Sequence, residues 1–427
     1  MLGVLVSRIR GLRDRFPGLY DFARRAGTRL FGSRLGIYPR PLADEVRAVS
    51  RVLHSAQWNM AYGGTLAHER LEADFAAYVG ARHAVAVNTG GIALQMSFRA
   101  LGLKPGHEVI LQADTCSATA FAVMNAGCTP IFADIARDTF MLSEASLTGF
   151  GGGARAVIAT HMWGNVENME MISRVAGQKD LMVIEDACLS LGASRNGRMT
   201  GTTGKVGVFS FGCIKPIQGG EGGMIVTQDE ALARELRSLR HWGDRAIEFG
   251  TRDTTQLAWN GRMSEIVAAV VTEQLKGYPA YLAKLREGAA ALARFIDGID
   301  GMDLVLGSGS RLEDSSFTQV VLRLDEAKLG CRKNALREAL AARGVPTWHA
   351  NFEIIPELSF FRKDSWQDWI LAGDIARVSG NYHGSWPNAE YVYASAGLGL
   401  PKSHLASAMI SGLKKNVVAA LQDARQS

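Results

Sequence analysis

Between residues 84 and 185, short apolar runs alternate with amphipathic segments, and this alternation limits the possible fold more than any other feature of the chain. Residues 84–88, 108–113, 130–133, 155–161 and 181–185 read as strands, and residues 92–101, 118–126 and 169–176 read as helices. Near-continuous apolar strands suit a sheet buried on both faces, and a helix between successive strands is what parallel pairing requires. The expected fold class is α/β, a large mainly parallel sheet covered on both sides. Helices at 230–241, 264–273 and 280–296 follow. Past about residue 300 the pattern changes to a strand at 317–324, a helix at 332–343 and a last helix at 403–421. A chain of 427 residues exceeds one ordinary core. The expected division is an N-terminal extension (1–40), a large domain (41–275) and a smaller α+β domain (276–427).

Charge separates the extension from the body. Residues 1–40 hold nine Arg against Asp14 and Asp21, a local +7, so the remaining chain carries 5 − 7 = −2. A nearly neutral body gives no support to a nucleic-acid-binding surface. Leu2, Leu5, Ile9, Leu12 and Phe16 recur at helical spacing among the arginines, and Pro17-Gly18 ends the pattern. Two placements fit this basic helix of residues 1–16: packed on its own protein with solvated arginines, or laid on an anionic membrane face. One short helix binds membranes only marginally, so the packed placement is the expectation. No apolar stretch approaches the length of a spanning helix, and Leu2 to Val6 is too short for a signal-peptide core. The five cysteines form no CxxC pair and no even framework, which suits reduced thiols and a cytoplasmic location.

The stretch that holds the chemistry is 208–226, VFSFGCIKPIQGGEGGMIV. Two apolar runs bracket a glycine-rich turn that carries one amine, Lys215. Such a turn either presents a lysine to a carbonyl group or is a surface hairpin with a solvated lysine. Two further places lie, like Lys215, just past the C-terminal end of an expected strand, where open α/β sheets bind ligands. Asn88-Thr89-Gly90-Gly91 opens a helix, and its free N–H groups suit a phosphate or simply form a helix start. Asp186 ends the run LMVIED, as a helix cap or as the acid that keeps a pyridinium nitrogen protonated. Residues 201–205, GTTGK, do not form a phosphate loop, because Val206 replaces the required Ser/Thr and Met199 stands in place of the first Gly. No zinc-spaced His/Cys cluster, HExxH or GxSxG occurs, so no metal is expected. A phosphate cradle, a ring-nitrogen acid and an amine for an aldehyde are together the requirements of pyridoxal 5'-phosphate.

At these residues the sequence resembles the DegT/DnrJ/EryC1/StrS aminotransferases. The similarity runs from about residue 63 to 421 and is carried by 87–134, HMWGN at 161–165, VIEDACLSLGA at 183–193, FSFGCIKPIQGGEGGMIVT and WNGRMSEIVAA at 259–269. The resemblance implies a fold-type-I, aspartate aminotransferase-like enzyme that aminates a keto sugar, nucleotide-linked, or a keto cyclitol, with glutamate or glutamine as amino donor. It implies that Lys215 forms the internal Schiff base and shuttles a proton, and that Asp186 pairs with the pyridine nitrogen. Ser210 and the amides of Gly90 and Gly91, next to Thr89, would hold the phosphate. Asn260 would reach the phosphate of the neighbouring subunit, so a homodimer with shared active sites is implied. His161 and Glu221 match positions near the site, and Trp348 and His349 are candidates for the substrate pocket.

Three positions depart from the family pattern. Cys116 stands where an aromatic usually stacks on the cofactor ring, Leu189 stands where a Gln bonds its phenolic oxygen, and Gly91 replaces a frequent Thr. They imply an altered grip on the cofactor or an unusual substrate. Two other functions remain: a sugar dehydration, disfavoured because the family's sugar 3-dehydratases carry His in place of this lysine, and a non-catalytic PLP-binding regulatory protein.

Overall fold

The computed structural model describes residues 42–58, 67–150, 153–244, 253, 254, 256–350, 353–369, 375–405 and 407–426. The expected basic helix of residues 1–16 lies outside them. The central sheet has seven strands: β1 (His83–Val87), β2 (Glu108–Gln112), β4 (Thr129–Ala133), β5 (Ala154–Thr160), β6 (Met182–Asp186), β9 (Val206–Ser210) and β10 (Gly223–Thr227), in spatial order β1-β10-β9-β6-β5-β2-β4. Short strands β3 (Asp114–Thr115), β7 (Ser194–Arg195) and β8 (Arg198–Met199) lie outside it. The sheet is parallel from β4 through β9, and β10 runs antiparallel to both of its neighbours. Two reversals restore the direction, so β1 points the same way as β9 and β6. Only β10 opposes the rest, and the C-terminal ends of six strands share one edge.

Alternation along the strands feeds two cores. Val85, Val87, Val206, Val208 and Ile225 face one apolar cluster, while Ala84, Ala86, Phe209, Met224 and Val226 face another. Helices α1 (Leu42–Ser55), α2 (Ala67–Val79), α3 (Gly90–Ala100), α4 (Ser117–Asn125), α5 (Met169–Gln178) and α6 (Glu230–Arg240) accompany the sheet. The first helix after β1 begins at Gly90 rather than at Ile92, because Thr89 is its N-cap and its side chain accepts from the Ile92 N–H at 3.1 Å.

The expected helices at 264–273 and 280–296 are one helix, α7 (Glu265–Ile296), running through Pro279. An internal proline removes one helix hydrogen bond. Burial on both sides offsets it: Leu275, Tyr278 and Leu282 pack into the core of the large sheet, and Leu285, Ala289, Leu292 and Ile296 pack into the core of the second unit. The expected division at 275/276 falls inside this helix. The second unit is a four-stranded antiparallel sheet of β11 (Met302–Leu304), β12 (Val320–Leu324), β13 (Trp348–His349) and β15 (Gly397–Leu400), in order β11-β12-β15-β13. Helices α8 (Lys333–Ala342) and α9 (Ser407–Ala424) pack beside it. Strand β14 (Glu353–Ile354) crosses back to pair antiparallel with β3, Glu353 opposite Thr115. Among the described residues no helix is long and apolar enough to cross a membrane.

Candidate active site

The shared sheet edge brings three separate sequence segments together. Asp186 ends β6 and is buried. Its Oδ1 accepts the Cys188 N–H at 3.1 Å and its Oδ2 accepts the Thr119 hydroxyl at 3.1 Å. Ser210 ends β9, two strands from β1, and faces the start of α3. A Cβ placed on Gly90 would lie 2.9 Å from Ser210 Cβ, 3.2 Å from Cys188 Sγ and 3.3 Å from Ser210 Oγ, so only glycine keeps this helix start open beside Ser210. Gly223 in β10 allows a similar approach from the other side, since a Cβ there would lie 2.5 Å from the Thr89 carbonyl oxygen.

Lys215 sits in the loop between β9 and β10, half-buried, with its N–H bonded to the Gly212 carbonyl at 3.1 Å. Around Gly212 a Cβ would meet Ser210 Oγ at 3.7 Å, Lys215 Cγ at 3.9 Å and Glu221 Oε2 at 4.0 Å, which places these three side chains about one point. The thiols report the same convergence electrostatically. Cys116 is exposed at the rim of the site yet crowded: burial raises its pKa, the Ala118 N–H and the Lys215 charge oppose the rise, and Asp186 and Glu353 add to it. Burial and then the Asp186 charge push the Cys188 thiol well above its usual value, with Lys215 opposing. Both thiols are neutral at neutral pH, so neither is an activated nucleophile.

The other expected residues are placed as follows. Thr89 and Gly91 form the start of α3, with open space around Gly91. Asn260 is exposed, and its carbonyl accepts from Asn88 Nδ2 at 3.3 Å, next to the 88–91 turn of the same chain. Leu189 is buried in the core, and its carbonyl accepts from Thr318. Trp348 packs over Gly399 within the small sheet, and His349 stacks on Tyr393 at 4.5 Å and bonds Arg337 at 2.9 Å, all contacts inside the second unit.

His161, expected at the substrate, is fully buried instead. Its Nδ1 accepts the Glu167 N–H at 3.1 Å, which leaves Nε2 to donate to Glu185 at 2.9 Å. Both ring nitrogens are committed to protein partners, and the His161 backbone N–H bonds the Asp186 carbonyl at 3.0 Å. Glu185 also accepts from the N–H groups of Gly201, Thr203 and Gly204. Burial works against its charge, but His161 and these N–H groups outweigh it and hold the carboxyl below its ordinary value.

Sequence reasoning missed Thr119, Cys188 and Glu353. Glu353 Oε2 accepts the Ser117 N–H at 3.2 Å, which brings a carboxylate from strand β14 beside Cys116. Nothing local in the sequence marks Thr119 or Glu353, since only sheet order and the β3–β14 pairing put them at the site. Cys188 stands only two residues past Asp186, a spacing at which its N–H can reach the carboxylate. Among the described residues no cluster of His, Cys, Asp and Glu could hold a metal ion.

A mainly parallel sheet with an acid, a lysine loop and a glycine-opened helix start on one edge defines a fold-type-I transferase of the aspartate aminotransferase kind. Residues 41–367 match the DegT/DnrJ/EryC1/StrS aminotransferase family, and the chain belongs to that family of transaminases. It is 32% identical over 71% of its length, and 79% of the relative's, to a UDP-N-acetyl-3-dehydro-alpha-D-glucosamine 3-aminotransferase of Acidithiobacillus ferrooxidans. It is 34% identical over 62% of its length, and 65% of the relative's, to an L-glutamine:2-deoxy-scyllo-inosose aminotransferase of Streptomyces kanamyceticus. Among solved structures, DesV of S. venezuelae superposes with a TM-score of 0.75 at 29% identity, covering 88% of this chain and 93% of that one.

Proposed function

We propose that the chain is a pyridoxal 5'-phosphate-dependent aminotransferase that moves an amino group from glutamate or glutamine to a keto sugar, nucleotide-linked, or to a keto cyclitol. The observation that carries this reading is the convergence of Lys215, Asp186 and Ser210 at a helix start that only Gly90 leaves open. The residues fit the cofactor: the N–H groups at 90 and 91 with the Ser210 hydroxyl suit a phosphate, Asp186 suits a ring nitrogen, and the Lys215 amine suits an aldehyde. When bound, the cofactor supplies an electron sink. Asp186 would hold a proton on the ring nitrogen, and Lys215 Nζ would take and return a proton at the substrate carbon. Glu221 Oε2 and Lys215 Cγ flank the same point at Gly212, which makes Glu221 a candidate to orient the amine.

The named relatives act on a keto amino sugar carried by UDP and on a keto cyclitol, which supports an acceptor of this kind. The match of Asn260 to the family asparagine that reaches the neighbouring subunit's phosphate, together with its exposure, supports a homodimer in which each subunit completes its neighbour's site. Five free thiols support a reducing compartment such as the cytoplasm. The test is a screen of keto-sugar nucleotides and keto cyclitols for amination with mass detection, run on wild type and Lys215→Ala. Visible cofactor absorbance and product are expected in wild type only. Product from the variant would sink the reading, and so would a wild type that gains no absorbance with added cofactor. Failure of glutamate and glutamine to convert the bound cofactor to its amine form in a single turnover would favour the regulatory role instead.

A further inference from the structure

A carboxylate on a short side chain rotates freely about its last torsion unless each oxygen has its own donor. At Asp186 each oxygen has one: the Cys188 N–H on Oδ1 and the Thr119 hydroxyl on Oδ2, both at 3.1 Å. The two donors are unlike. The Cys188 N–H comes two residues after Asp186 and follows the turn of the chain. Thr119 comes from the first turn of α4, on a different element, with only 2% of its surface exposed. A helical Thr commonly turns its hydroxyl back to the carbonyl one turn earlier; here the hydroxyl goes to Asp186.

The surroundings make this contact matter more in this chain than side-chain identity suggests. Cys116 precedes α4 at the rim and offers no ring face, and Leu189 is packed into the core with no polar group to offer. With those two positions unable to orient a bound ring, its tilt depends on the nitrogen end and the phosphate end. We infer that Thr119 is the positioning residue of the ring-nitrogen acid: its hydroxyl fixes the plane of the Asp186 carboxylate so that the remaining lone pair faces the cofactor. The inference rests on the cofactor reading above and adds to it a residue that neither motif nor spacing marks.

Thr119→Val removes the hydroxyl and keeps the branched shape, while Thr119→Ser keeps the hydroxyl and removes the methyl. Two readouts besides turnover apply to the purified protein: the cofactor dissociation constant from visible titration, and the pH midpoint of the cofactor's visible band, which follows hydrogen bonding at the ring nitrogen. Losing one buried hydrogen bond to a charged group corresponds to about a tenfold or larger change in an equilibrium constant. Thr119→Val is therefore expected to weaken cofactor binding about tenfold or more and to move the pH midpoint, and Thr119→Ser to stay within about threefold of wild type with the midpoint unmoved. The inference is overturned by Thr119→Val binding like wild type with an unmoved midpoint, or by Thr119→Ser failing as badly as Thr119→Val, since the hydroxyl would then not be the active part. Should Thr119→Val not fold, Thr119→Ala carries the same comparison. A wild type that binds no cofactor fails the parent reading and this one with it, whereas a binding wild type with an equally binding Thr119→Val fails this one alone.

Discussion

At the scale of single residues, a chain of buried polar groups backs the active-site edge. Glu167, His161 and Glu185 are linked in series, and the His161 N–H holds the carbonyl of Asp186. Burial pushes the Glu167 carboxyl from 4.5 up to about 8, against the N–H groups of Leu142 and Asn168 that favour its charge. The folded chain therefore keeps a proton that the unfolded chain releases. The contribution of this group is fully present below about pH 4.5 and is lost as pH rises through about 8. Glu167→Gln, which cannot ionise, is expected to flatten that slope. Melting curves between pH 5 and 8 should then fall less steeply in the variant than in wild type, by an amount on the order of a few kcal/mol; parallel curves would exclude the assignment. The same network explains why the surroundings of His161 are not legible in the sequence. A histidine after an apolar strand looks alike whether it faces a ligand or a buried acid, and the deciding partners, Glu167 and Glu185, are six and twenty-four residues away.

At the scale of elements, the start of α3 gives a paired comparison. Gly90→Ala drives a methyl group toward Ser210 and Cys188, an overpacking that costs about 1–3 kcal/mol and opens the cradle. Gly91→Ala meets nothing nearer than Thr89 Oγ1 at 3.9 Å. Cofactor titration and melting should show the first variant impaired in both and the second close to wild type in stability, helped by the better helix propensity of Ala. Equal behaviour of the two would mean that Gly90 has no special place. The glycines themselves were legible in the sequence; which of them is crowded was not, because crowding depends on β9 lying two strands away from β1. The strands of the parallel region were legible as well, since burial on both faces leaves an apolar run that no solvent-facing pattern imitates. Helix α7 was not: Pro279 reads as a stop unless it is known that the helix is anchored in a core at each end.

At the scale of the whole molecule, the proposed shared-site dimer makes a prediction that no single-chain enzyme would meet. Lys215→Ala and Asn260→Ala homodimers are each expected to be impaired. If Lys215 of one subunit works with the neighbour's Asn260, a mixed dimer keeps one intact site. Random exchange should then restore about a quarter of wild-type activity; no recovery on mixing would place both residues in the same subunit's site or remove Asn260 from it. The pairing of β14 with β3 has a consequence for synthesis. The loop at Cys116 is made early, but the strand that closes it, Glu353–Ile354, leaves the ribosome more than two hundred residues later. Until then the rim of the catalytic cleft has an open strand edge, so a nascent chain can form its sheet long before it can form a finished enzyme.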